Sequence, residues 1–118
     1  MRSLTTQLKE FHILFDVDSE SPHHLQCVAE EMDELGHELG HAGPENAHLL
    51  AKEAIDVVYT IVSLFVANGW DFEAAFEEVH RSNMSKLGDC GEPVRREDGK
   101  ILKGPYYEPA DMHSALHL

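Results

Sequence analysis

Apolar residues recur at three- and four-residue steps through most of the first 80 positions, the spacing of amphipathic helices and not of strands. Residues 5–16 carry Leu8, Phe11, Ile13, Leu14 and Phe15 and predict a short first helix, followed by a polar connection at 16–22. Ser21 before Pro22 reads as an N-cap with proline at the first helical position. Leu25, Val28, Met32, Leu35 and Leu39 then extend a second helix until Gly40 and Gly43-Pro44 stop it. A third helix is predicted from Glu45 or Asn46 to about Asn68-Gly69, where glycine supplies the stop. Asp71 is placed to cap a fourth, whose stripe is Phe72, Ala75, Phe76 and Val79. From Gly88 onward glycine, proline and charge dominate, with a small hairpin predicted over 94–102 around Asp98-Gly99.

These elements predict an all-α fold: one domain over 1–118, built as a four-helix bundle with an irregular tail from 88 to 118. The third helix is apolar almost all round, a pattern that calls for burial on every side. Four short helices in one chain cover such a helix poorly, so the expectation is a dimer or tetramer in which a second copy completes the core.

Charge narrows the function. Against 9 Lys and Arg stand 22 Asp and Glu, a formal net charge of −13, which disfavours binding that blankets a phosphate backbone with cations. Nucleic acid is therefore not an expected partner. Residues 55–66 form the longest apolar stretch, but Asp56, Thr60 and Ser63 interrupt it and it is too short to span a bilayer. With no secretory pattern at the start, the expected location is the cytoplasm. Cys27 and Cys90 form neither a disulfide framework nor a metal-binding spacing and read as reduced thiols. Six of the nine basic side chains, Arg81, Lys86, Arg95, Arg96, Lys100 and Lys103, follow residue 80, so an acidic body carries a basic C-terminal arm.

The acids fall into a pattern with chemical content. At about 100° per residue, with Glu53 at zero, Thr60 lies near 340°, Asp56 near 300° and Ser63 near 280° on the third helix. Glu53 and Asp56 thus share one narrow polar stripe on an apolar helix, where an unmatched carboxylate is disfavoured. The second helix supplies Glu30, Glu31 and Glu34, with Glu31 and Glu34 one turn apart at the edge of its apolar face and Asp33 turned away. If these helices pack antiparallel, as their short connection favours, the two acidic sets converge. Two carboxylates ~4 Å apart repel by roughly 4 kcal/mol at an effective dielectric near 20. Taken alone, Glu-Glu-x-x-Glu is a solvated helix face; the second pair inside an apolar helix shifts the balance to a metal site. Oxygen-only ligands suit Mg²⁺ or Mn²⁺.

On the fourth helix Asn83 and Lys86 prolong the apolar stripe, which predicts an amide and a cation pointing into one end of the bundle, suited to phosphate and sugar hydroxyls. The plainer alternative is a frayed last turn with lysine favoured by the helix dipole.

The segments EEMDEL (30–35), EAIDVVY (53–59), EVHRSNMSKLG (78–88) and EDGKILKGPYYEPADM (97–112) resemble the MazG-like, all-α nucleotide pyrophosphohydrolase superfamily. That superfamily includes phosphoribosyl-ATP pyrophosphohydrolases and dimeric dUTPases, and the third segment is similar to the small phosphoribosyl-ATP pyrophosphohydrolase-like subgroup. The resemblance implies Glu31, Glu34, Glu53 and Asp56 as Mg²⁺ ligands, and Glu30 as the base that activates water or as a ligand to a further ion. It implies Asn83 and Lys86 as contacts to sugar and phosphates, with Arg81, Lys100 and Lys103 as weaker candidates. The activity implied is hydrolysis of a nucleoside triphosphate to monophosphate and pyrophosphate, in nucleotide-pool housekeeping or on phosphoribosyl-ATP. The base pocket is not implied; Phe11, His12 and Tyr59 are candidates for it. Two other readings compete. Glu-x-x-His spacings (Glu34 with His37, Glu38 with His41, Glu45 with His48, Glu77 with His80) allow a di-iron carboxylate bundle, and the amphipathic helices allow a non-catalytic interaction module.

Overall fold

The computed structural model describes residues 1–20 and 22–118. It is mostly helical: α1 (Leu4–Leu14), α2 (His23–Leu39), α3 (Ala47–Ala67), α4 (Phe72–Met84) and a short α5 (Met112–Ala115). The fold is all-α, with one two-stranded antiparallel ribbon, β1 (Val94–Arg95) and β2 (Ile101–Leu102). No helix among the described residues is long and apolar enough to cross a membrane. The chain forms two compact units, Met1–Phe72 and Glu73–Leu118.

In the first unit, α1 begins one residue earlier than the apolar pattern predicts, because Ser3 caps it: its Oγ accepts from Thr6 N at 3.1 Å. Pro22 directly precedes α2 at φ −66°, so the proline stands one place outside the helix. The expected cap at Ser21 lies outside the described residues. A single 3-10 turn, Pro44–Asn46, leads into α3. At the far end Asn68 and Gly69 close α3: Trp70 N donates to Phe65 O at 2.9 Å, and Gly69 takes φ +69°, a left-handed conformation that favours glycine.

Helix α3 is the axis of this unit, with α1 and α2 packed along it. Pairing between α2 and α3 runs in opposite senses: Glu34 meets Glu53, Cys27 lines a cavity with Thr60, and Leu25 lies beside Leu64. Antiparallel packing therefore brings the acidic turns of both helices to the same level. Leu8 and Val62 are the large side chains fully buried here, while Ile55 on the same α3 is 63% exposed in the isolated chain.

In the second unit the tail lies along α4. Ser82, only 4% exposed, donates from Oγ to Glu108 O at 2.8 Å, and Ser85 Oγ accepts from Glu108 N at 2.9 Å. On α4 the tail meets Glu78, Ser82 and Ser85; Ala75 of the expected core stripe is buried, whereas Phe76 and Val79 are exposed. The physical reason is satisfaction of backbone groups: an irregular tail needs hydroxyl and carboxylate partners that an apolar stripe lacks. The hairpin forms where predicted, with Val94 opposite Leu102 and Arg95 opposite Ile101. Asp98 accepts from both Arg96 and Lys100 N, and Gly99 takes φ +90°. Helix α5 was not expected; the signal for it is Asp111, whose carboxylate accepts from Ser114 N at 3.1 Å as an N-cap.

Candidate metal centre

Glu31 and Glu34 share one face of α2 because they are three residues apart, and Glu53 faces them from α3. Each of the three presents a carboxylate oxygen lying within 4.8 Å of the other two. Glu31 Oε2 and Glu53 Oε2 are buried and have no hydrogen-bond partner among the described residues. Native interiors rarely leave such atoms unsatisfied, so an orphaned pair of anionic oxygens at one point has the character of an ion seat. Burial pushes the Glu53 carboxyl above its ordinary value; Glu34, by charge and by hydrogen bond, and the charge of Asp56 push the same way against Lys52. The group is thus held in electrostatic tension that a divalent cation would relieve.

The other acids of the pattern are placed differently. Asp56, one turn along α3 from Glu53, is held by Lys52, with Nζ 2.5 Å from Oδ2, and stands outside the three-carboxylate group. Glu30 is exposed and accepts from Gln26 Nε2 at 3.0 Å. Asp33, which the helical wheel turns away, lines a shallow depression of about 310 Å³ with Glu34, His37, Glu38 and Glu53. Sequence reasoning passed over Lys52, although its spacing of four from Asp56 on a helix was a readable signal.

The remaining candidates lie in the second unit. Arg81 makes a bidentate pair with Glu78, Nε to Oε1 at 2.7 Å and Nη2 to Oε2 at 2.9 Å, and also reaches Pro109 O. Lys103 Nζ sits 4.7 Å from the centre of the Tyr107 ring. Asn83 is exposed and Lys86 half-buried near the end of α4, and Lys86 O accepts from Gly104 N at 2.9 Å. Of the four Glu-x-x-His pairs only Glu34 belongs to the carboxylate group, and no histidine joins it among the described residues.

The phosphoribosyl-ATP pyrophosphohydrolase family matches residues 8–83, a span that takes in the later part of α1, all of α2 and α3 and nearly all of α4. The chain belongs to that family. As a family member it is part of the MazG-like superfamily, and its chemistry is that of a pyrophosphohydrolase, a hydrolase of acid anhydrides. No curated protein is similar enough to the chain to count as a match. Within the family's span lie all three converging glutamates as well as Glu30 and Asp56.

Proposed function

We propose that the chain hydrolyses a nucleoside triphosphate to its monophosphate and pyrophosphate, using Mg²⁺, with Mn²⁺ as an alternative, and that it serves nucleotide-pool housekeeping in the cytoplasm. The observation that carries this reading is the convergence of Glu31, Glu34 and Glu53 with two buried oxygens left unpartnered. The donor set is oxygen alone, the preference of hard divalent cations. When bound there, such ions neutralise phosphate charge and favour the attack of water on phosphorus. Water adds to the α-phosphorus, the α–β anhydride bond breaks, and pyrophosphate leaves with the bond's electron pair. A carboxylate of the same helix takes the water's proton, and Glu30, the exposed acid next to Glu31, is assigned that part by resemblance.

Asp56 completes the ligand set in this reading once Lys52 swings away; Lys52 is two-thirds exposed and free to do so. Asn83 and Lys86 are assigned to the sugar and phosphates. Arg81 and Lys103, engaged with Glu78 and Tyr107, are the weaker candidates. A second copy of the chain is the proposed protein partner, in a homodimer or homotetramer.

The family match favours one specific second reading, phosphoribosyl-ATP as the substrate. Pyrophosphate release from a panel of nucleoside triphosphates and phosphoribosyl-ATP, each with Mg²⁺, separates the two. Glu53→Gln is expected to lower turnover by at least about a hundredfold, the scale of losing a metal ligand, while circular dichroism stays unchanged. Retained turnover in that variant would remove the ligand assignment. Millimolar Mg²⁺ is also expected to raise the melting temperature, because the ion binds the assembled carboxylates and not the unfolded chain; an unmoved transition would speak for a non-catalytic module.

A further inference from the structure

Beyond the glutamates, the end of α2 carries a second group of metal-binding type, built on imidazole. Residues 37–41 read His37-Glu38-Leu39-Gly40-His41, the His-Glu-x-x-His spacing that sets two imidazoles on one face of a helix, as in zinc hydrolases. The two rings stand 4.9 Å apart between centres, tilted by 53°. His41 Nδ1 lies 3.0 Å from His37 O. A carbonyl only accepts, so Nδ1 carries the proton and the neutral ring keeps its Nε2 lone pair free for a metal. A backbone carbonyl behind the other ring nitrogen is a common way of orienting a ligating imidazole. The turn that bears His41 is itself held, its N donating to Glu38 O at 3.0 Å and its O accepting from Asn46 Nδ2 at 3.0 Å. The His12 and His24 rings, 5.8 Å apart, differ in this respect: His12 Nε2 is engaged with Ser63 Oγ at 2.7 Å and His24 Nε2 with Asp18 O at 2.8 Å.

We propose that His37 and His41 together bind a Zn²⁺ ion through imidazole nitrogen, with water at its remaining positions. Two nitrogens ~2 Å from one Zn²⁺ stand roughly 3.4 Å apart in tetrahedral coordination, and turning the exposed His37 ring brings the pair to that spacing. The setting attracts a cation: His37 and the half-buried Glu38 line the depression of about 310 Å³ with Asp33, Glu34 and Glu53, in a chain of net charge −13. Glu34 precedes His37 by three residues, about 4.5 Å along the helix axis. The zinc ion therefore stands at the rim of the three-glutamate group, on ligands of its own. Ligand chemistry sorts the two ions, since imidazole suits Zn²⁺ and a donor set of oxygen alone suits Mg²⁺. With two protein ligands the zinc site is open and exchangeable, unlike a closed four-ligand structural site. It does not depend on the hydrolase reading.

The test uses the full chain with millimolar Mg²⁺ present to occupy the carboxylates, and Zn²⁺ as the probe. Calorimetry is expected to show uptake at micromolar Zn²⁺, and ¹H–¹⁵N spectra of the side chains should show the Nε2 resonances of His37 and His41 moving together while those of His12 and His24 stay. His41→Ala should weaken the uptake at least about tenfold, the scale of disturbing a metal's coordination, with circular dichroism unchanged because the ring is exposed. His24→Ala should leave it as it was. Uptake that persists in both His37→Ala and His41→Ala overturns the site, as do shifts confined to other histidines or the lack of any uptake at micromolar Zn²⁺. Zinc bound at these two rings in a protein that turns over no nucleotide supports the site while the hydrolase reading fails.

Discussion

Lys52 and Asp56 form a contact that changes how the carboxylate group behaves before a metal arrives. The lysine lies 2.5 Å from Asp56 and 3.9 Å from Glu53, and the flanking acids hold its ammonium above its ordinary pKa, chiefly through the Asp56 hydrogen bond. It acts as a tethered counter-ion competing with any divalent cation. Lys52→Gln is therefore expected to tighten Mg²⁺ binding by titration calorimetry, by the small factor that removing an exposed counter-ion allows. Weaker binding in the variant would mean that Lys52 orders Asp56 for the ion and does not compete with it. At this scale the sequence was only half legible. Convergence of Glu31, Glu34 and Glu53 follows from helical spacing and a short connection, both local properties. The capture of Asp56 follows from a side-chain rotamer, and spacing makes that available without selecting it.

Among the elements, α4 and the tail show how a polar helix face can be the covered one. Glu78 sits at the centre of the contact, accepting from Arg81 and from Asp111 N at 2.7 Å. The Arg81 hydrogen bond, and then the Asp111 amide, lower its pKa from the ordinary 4.5 to about 2. A folded-state value below the unfolded one means that the carboxylate stabilises the contact above about pH 4.5 and ceases to do so as pH falls toward 2. The Asp111 amide resonance is expected to titrate with a midpoint near 2. A midpoint at the ordinary carboxylate value would show that the contact is not held in solution. Glu78→Gln should abolish the transition altogether. Helix positions were readable because glycine and proline stops and apolar periodicity are written into short windows. The tail's anchorage was not, since it depends on the main-chain groups of Glu108 and Pro109, which any residue could supply.

For the molecule as a whole the main fact is how little of its apolar side-chain surface is covered. Leu25, Met32 and Leu39 recur at seven-residue steps along α2 and are all more than half exposed in the isolated chain, as is Ile55 on α3. Exposed apolar area on this scale is characteristic of chains that associate. Light scattering at micromolar concentration is expected to give twice or four times the chain mass. A monomer would require another occupant for the α2 stripe. Met32→Lys, in the middle of that stripe, should shift the population toward the single chain.

The hairpin supplies a practical consequence of a different kind. Gly88 N donates to Glu92 O at 2.7 Å just before β1, and Gly104 N is tied to Lys86 O just after β2, so the segment leaves and rejoins the end of α4 at nearly one place. Gly104 fits that closure without a side chain: a Cβ there would stand 2.5 Å from Lys86 O. Both feet of the ribbon are therefore fastened while its tip at Glu97, Asp98 and Gly99 is exposed. Lengthening a closed excursion costs little, since the entropy of closing it grows only with the logarithm of its length. A peptide tag or reporter spliced between Asp98 and Gly99 would ride on the surface with its attachment points already clamped, making this tip a convenient handle for labelling the protein.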